Sequence, residues 1–183
     1  MTVYQGRPEN CAGRSEVEIR CYDLLDSLGI SYRGVDHEAA MTMEDCVVAG
    51  NAIDVPICKN LVLCNRQQTA FYLLLMPGDK PCKTKDLSAQ IGSSRLSFAT
   101  EAHLAELLGV TPGSASVLGL QNDKDGRVKL LIDEEVLASP QFGCHPCKNT
   151  TSLGFLTADL TGRILPALNR EWQTVSLPRY AEE

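Results

Sequence analysis

Between Ser15 and Leu28, Val17, Ile19, Tyr22, Leu24, Leu25 and Leu28 fall near helical spacing, and Gly29 follows. That pattern predicts an amphipathic helix closed by a glycine C-cap. Ile30 to Val35 alternates well enough for a short strand. Thr42 followed by Asp45 resembles a capping box and predicts a helix to about Val48. The periodicity then changes. Leu61-Val62-Leu63 and Ala70 to Met76 are apolar runs separated by Asn65-Arg66-Gln67-Gln68 and stopped by Pro77-Gly78-Asp79, the pattern of a β-hairpin.

Further along, Thr84 is placed to cap a short helix through Ile91, and Arg95 to Ala99 is a candidate strand. Thr100, with His103 and Glu106, opens a helix that ends at Gly109. The small-residue segment Thr111 to Ser116 runs into Val117 to Leu120. A turn at Asp123 to Gly126, a strand over Arg127 to Ile132 and a short helix over Asp133 to Leu137 come next. Gln141 to His145 and Leu153 to Leu156 read as paired strands around a polar loop. A last helix starts at Thr157 and breaks before Pro166, and the tail from Arg170 reads as peripheral. Helices and strands mix without strict βαβ alternation, and neither repeat nor linker interrupts them. The expectation is one domain over residues 1–183, its core at about 15–165, of α/β or mixed α+β class with a mixed sheet.

Composition supports a globular chain. At 183 residues and 44% hydrophobic content, one core should bury roughly 70% of the unfolded surface without a metal or disulfide. The net charge of −6 argues against DNA or long duplex partners, whose affinity comes from neutralising many phosphates. A short contact with a nucleic-acid end stays compatible with it. No apolar run approaches the roughly 20 residues that span a bilayer, and residues 1–10 hold no apolar signal core. The expectation is a cytoplasmic protein with no membrane partner. Absent a heptad pattern or long apolar edge, a monomer is expected.

In such a chain the eight cysteines read as reduced thiols. Cys144-His145-Pro146-Cys147 alone has a recognisable spacing. A redox pair would follow an early strand and open a helix, and a zinc site needs a second ligand pair; neither context is present. Neither metal nor cofactor is expected.

Three segments set polar or small residues beside apolar strands. Lys59, in Cys58-Lys59-Asn60, either aims a point charge at an anionic group or guards a sheet edge. The segment from Gly109 through Thr111, Pro112, Gly113 and Ser114 either brings backbone N–H groups to a ligand or simply connects a helix to a strand; it lacks the lysine and spacing of a P-loop. In the third, Gly143-Cys144-His145-Pro146 precedes Asn149, Thr150 and Ser152, and His145 either orients a substrate or is a hydrogen-bonded core residue. His37, between Asp36 and Glu38, reads as a surface or strand-end residue, and His103 as solvated. Ser114 and Ser116 lie outside a nucleophile elbow.

In their order and spacing, Lys59 to Leu63, Leu107 to Ser114, Asp123 to Ile132 and Gly143 to Ser152 resemble the YbaK/ProX family of aminoacyl-tRNA deacylases, over about Ser15 to Leu165. The His145-Pro146 segment with Asn149 is similar to that of the freestanding alanyl-tRNA(Pro) deacylases (PrdX, ProXp-ala); the cysteinyl-tRNA(Pro) deacylases generally lack it. The resemblance implies a curled mixed β-sheet flanked by helices. It implies trans-editing hydrolysis of the ester joining alanine to tRNA(Pro), with the tRNA acceptor end as partner and prolyl-tRNA synthetase as a candidate one. By that resemblance Lys59 holds the terminal phosphate, and His145 acts on the aminoacyl side. Asn60, the polar neighbour of Lys59, would bind substrate beside it. The loop at Thr111, Gly113 and Ser114, with Gly119, would supply backbone contacts to the terminal ribose and ester. Asn149, Thr150 and Ser152 would line the pocket, with Gly143 and Pro146 also binding substrate. A cysteinyl-tRNA(Pro) deacylase and a non-catalytic aminoacyl-tRNA or synthetase-binding module are the alternatives.

Overall fold

The computed structural model describes residues 1–181. In chain order the elements are β1 (Thr2–Gln5), α1 (Glu16–Ser27), β2 (Arg33–Asp36), α2 (Met43–Ile53), β3 (Lys59–Cys64), β4 (Phe71–Met76), α3 (Thr84–Ile91), β5 (Ser97–Phe98) and α4 (Glu101–Leu108). A 3₁₀ turn (Val117–Asn122) then leads to β6 (Val128–Asp133), α5 (Glu134–Ala138), β7 (Gln141–Cys144) and β8 (Thr151–Leu156). The last are α6 (Thr157–Asp159), a π turn (Leu160–Ile164), α7 (Leu165–Ala167) and β9 (Trp172–Val175).

The strands form two sheets. One is antiparallel throughout, in the order β1-β2-β8-β7; the other is mixed, in the order β5-β3-β4-β6-β9, with β6 parallel to both β4 and β9. A parallel bridge between Ile57 and Gly143, with the Cys58 N–H donating to the Gly143 carbonyl at 3.0 Å, joins them. This is the mixed α/β class expected from the pattern.

The unbroken apolar run of β4 has a simple cause. Leu73 and Leu75 face the main core with Val62, Leu130 and Ile132, while Leu74 and Met76 face a second core with Leu63, Leu131 and Val175. A strand buried on both faces has no polar side to show. The same alternation in β3 puts Lys59 on the side of Leu61 and Leu63, and Asn60 on the side of Val62.

The caps follow from local chemistry. Gly29 and Gly109 adopt φ +65° and +67° after α1 and α4, and Thr42 and Thr100 close reciprocal capping boxes with Asp45 and His103. Four expectations need correction. α2 runs past Val48 to Ile53, because Ala49 and Ile53 pack on Val35 and Val55. Thr84 is the first residue of α3, not its cap; Lys83 holds the cap position without a side-chain bond. The last helix does not break before Pro166. A π turn carries it on, and Pro166 is accommodated at the join between that turn and α7. The tail is not peripheral: β9 pairs with β6, and Val175 and Leu177 are buried. Among the described residues, no helix is long and apolar enough to cross a membrane.

Candidate functional site

β3 starts beside the seam between the sheets, and that seam dictates glycine at 143. A Cβ there would lie 2.6 Å from the Pro56 carbonyl and from Ile57 Cδ1, so Gly143 is a packing residue where two backbones approach. Two residues past the seam, Asn60 accepts the Val117 N–H at 2.9 Å and donates to the Cys58 carbonyl at 3.2 Å. Its amide thereby fixes the small-residue loop to the strand. Lys59, half-buried, points to the other side and donates to the Lys80 carbonyl at 2.5 Å. Among the described residues no carboxylate lies within ion-pair distance of its ammonium.

The loop is folded back on itself by the Ser114 N–H donating to the Thr111 carbonyl, with Gly113 at φ +84°. Thr111 and Gly113 are exposed; Ser114 is buried, and its hydroxyl accepts the Asn149 N–H at 3.1 Å. Asn149 continues outward, accepting the Ala40 N–H through its own carbonyl at 2.9 Å, and the Thr150 carbonyl accepts the His37 N–H. The third segment is therefore bound on one side to the small-residue loop and on the other to the chain entering α2. Gly119 sits elsewhere: it is buried, and a Cβ would fit tightly against Leu108 Cβ at 3.3 Å, with Cys147 Sγ in ordinary contact at 3.5 Å.

His145 is buried, as is Pro146. Its Nδ1 lies 2.8 Å from the Thr151 carbonyl and 3.3 Å from Ser152 Oγ, and its Nε2 lies 4.0 Å from the Cys46 thiol on α2. Burial, aided by the nearby His37, keeps its pKa below the usual histidine value despite the Thr151 contact. His37 is half-buried, with Nδ1 2.6 Å from the Glu38 carbonyl and Nε2 2.9 Å from Ser152 Oγ. Its expected place at a strand end is correct, but it is part of the site. Only the β2–β8 register, Val35 opposite Ser152 and Asp36 opposite Thr151, brings it there, and no local pattern signals that pairing.

Beside His37 lies a network that sequence reasoning missed. Arg14 bonds Glu18 at 2.7 Å and Asp36 at 2.6 Å, and the Thr151 hydroxyl donates to Asp36 at 2.9 Å. Partial burial would raise the Asp36 pKa, but Arg14 and Thr151 outweigh it and leave the carboxyl low. The cysteines are free thiols. Cys147, in left-handed backbone, faces Cys21 with sulfurs 3.7 Å apart, and burial pushes the Cys58 thiol up to about 12.

A groove of about 700 Å³ opens between α2, the start of β3, the turn after β4, and α5; Met43, Val47, Ile57, Cys58 and Gly78 are among its walls. Cys58 precedes Lys59 in the chain, and Gly78 follows Met76, its partner across the hairpin. α2 serves both regions, with Cys46 toward His145 and with Met43 and Val47 toward the groove. The structure thus brings Ser114 to Asn149 and His145 to Ser152, ties Asn60 to the loop, and holds Lys59 apart, against the Lys80 carbonyl on the other face of the strand.

Comparison with known proteins gives a consistent picture. Residues 37–162 match the family described as aminoacyl-tRNA editing domain. The prolyl-tRNA editing protein ProX of Acetoanaerobium sticklandii is 29% identical over 157 residues, spanning 84% of this chain and 93% of its own. Prolyl-tRNA synthetase associated domain-containing protein 1 of Bos taurus is 30% identical over 149 residues, 79% of this chain and 86% of that protein. A solved structure described as a proposed trans-editing enzyme for prolyl-tRNA synthetase covers 91% of this chain and 99% of its own, with TM-score 0.66 at 18% identity, which shows a shared fold.

Proposed function

This chain belongs to the aminoacyl-tRNA editing domain family, and from that membership we propose that it removes alanine from mischarged tRNA(Pro). It is an aminoacyl-tRNA deacylase, and the bond it cleaves is the ester at the tRNA 3′ end. An aminoacyl ester is already activated, so the protein's part is to position the acceptor end and a water and to stabilise the developing oxyanion.

The observation that carries this reading is Lys59. A half-buried ammonium whose partner is a main-chain carbonyl, one residue from the groove-lining Cys58, is free of carboxylate partners among the described residues and so is offered to a phosphate of the single-stranded acceptor end. Few such contacts are needed at an unpaired end, which reconciles nucleic-acid binding with a net charge of −6. Ser152 is completely buried and cannot serve as a nucleophile. On this reading the exposed Thr111 and Gly113 lie toward the terminal ribose, while the Ser114 N–H is already spent on the Thr111 carbonyl.

For the amino acid, the reading uses His145 and the small cluster Ala40, Cys46 and Ile57 beside it. On this reading selection is steric, an alanine methyl being accepted beside these small side chains and the proline ring rejected. Attraction alone discriminates poorly, since one methylene is worth about 1–3 kcal/mol.

The test is deacylation of alanyl-, cysteinyl- and prolyl-tRNA(Pro) side by side. Rapid loss of alanine with prolyl-tRNA(Pro) left intact is expected. Preference for the cysteinyl ester would move the substrate assignment, and hydrolysis of none would overturn the enzyme in favour of a binding module.

A further inference from the structure

We propose that His37 and Ser152 are positioning residues for His145, holding its imidazole in the Nδ1–H tautomer so that Nε2 stays an acceptor beside α2. The inference rests on the placement of His145 at the aminoacyl pocket.

The donors and acceptors leave little choice. A carbonyl oxygen only accepts, so the 2.6 Å contact with the Glu38 carbonyl requires the proton of His37 to sit on Nδ1. In the neutral ring Nε2 is then an acceptor, and its partner at 2.9 Å is the Ser152 hydroxyl, which must spend its one proton there. Ser152 Oγ has lone pairs left, and these face His145 Nδ1 at 3.3 Å. The Thr151 carbonyl at 2.8 Å likewise demands a proton on that nitrogen. His145 thus shares one N–H between a carbonyl and a hydroxyl. Its Nε2 is left unprotonated, 4.0 Å from the Cys46 thiol.

His37 matters because it occupies the serine proton. Without His37, the Ser152 hydroxyl is free to turn and donate to His145 Nδ1, where it competes with the Thr151 carbonyl and weakens the preference for the Nδ1–H form. Nε2, facing α2, would then carry a proton in part of the molecules instead of a free lone pair. The pair resembles a serine–histidine dyad in distance alone, since Ser152 has no exposed surface. Its hydroxyl works within the protein.

The experiment is ¹⁵N-resolved NMR of the imidazoles, combined with steady-state deacylation of alanyl-tRNA(Pro), on wild type, His37→Ala, Ser152→Ala and the double variant. Wild type should show His145 protonated on Nδ1. His37→Ala should bring in the Nε2–H form and lower kcat about tenfold, the scale of one hydrogen bond, with KM unchanged. The double variant removes the competing hydroxyl and should restore the Nδ1–H tautomer and much of kcat, which no purely structural role would do. His37→Gln, able to accept from Ser152, should stay near wild type and guards against simple loss of folding. An unchanged tautomer in His37→Ala, or no recovery in the double variant, would overturn the proposal. A changed tautomer with an unchanged rate would leave the relay standing and remove His145 from the reaction.

Discussion

Lys59 and Lys80 are joined by a single hydrogen bond, yet their surroundings are opposite. The Lys80 ammonium is 1% exposed and bonds Asp133 at 2.8 Å, Glu135, and the Leu177 carbonyl at 2.6 Å. Desolvation alone would lower its pKa, but the two carboxylates reverse this and hold the charge. All of its hydrogen-bonding capacity serves the fold, pinning the turn after β4 to β6, α5 and the tail. Lys59 is half-buried and, among the described residues, bonds only the carbonyl of Lys80. The comparison separates a charge consumed by structure from a charge kept available. Proximity in space says nothing about which is which; the inventory of partners does.

The largest expected effect falls on the structural lysine. Lys80→Met leaves Asp133 buried without its cation, and unfolding by urea should show a loss of about 3–5 kcal/mol. Near-normal stability would erase the contrast. Next comes Lys59→Ala, which should lower single-turnover deacylation by at least about 100-fold, roughly 2.7 kcal/mol in the barrier. Its stability should change by only about 1 kcal/mol, since one partly solvated hydrogen bond is lost. Unchanged deacylation would make Lys59 as structural as its neighbour.

The smallest effect is a pH dependence that sets Lys80, whose carboxylates hold its charge, against His145, whose burial disfavours one. Burial depresses the folded-state pKa of His145 below its ordinary 6.5. Above that value neither state is protonated and the group costs nothing. As pH falls below it the unfolded chain takes the proton first, so stability declines toward the folded pKa. Denaturant midpoints measured between pH 7.5 and 5 should fall, and less so in His145→Gln. Asp36 acts only at lower pH: its depressed pKa contributes stability above about 3.8 that disappears on further acidification.

Much of the architecture is visible in the chain because local chemistry sets it. The capping residues Thr42, Thr100, Gly29 and Gly109, the hairpin over 58–76 and the doubly buried β4 each follow from side-chain identity and period. What was missed depends on distant partners. β1 and β9 carry weak patterns and exist because β2 and β6 offer open edges. The Arg14–Glu18–Asp36–Thr151 cluster spans 137 positions of sequence between Arg14 and Thr151. At the site, the segments around Lys59, Thr111 and His145 stand out by composition, while the place of His37 beside Ser152 does not.

The amino-acid sequence by itself determined the class of fold, most helix boundaries and the four segments that resemble the editing family, because caps, periodicity and short motifs act over a few residues. Only the tertiary structure decided which of two linked lysines has carboxylate partners, that Gly143 and Gly119 serve packing, and that His145 Nδ1 meets the Thr151 carbonyl. Those outcomes depend on burial and on donors and acceptors supplied by strands far apart in the chain, and such pairings form only when the sheets close.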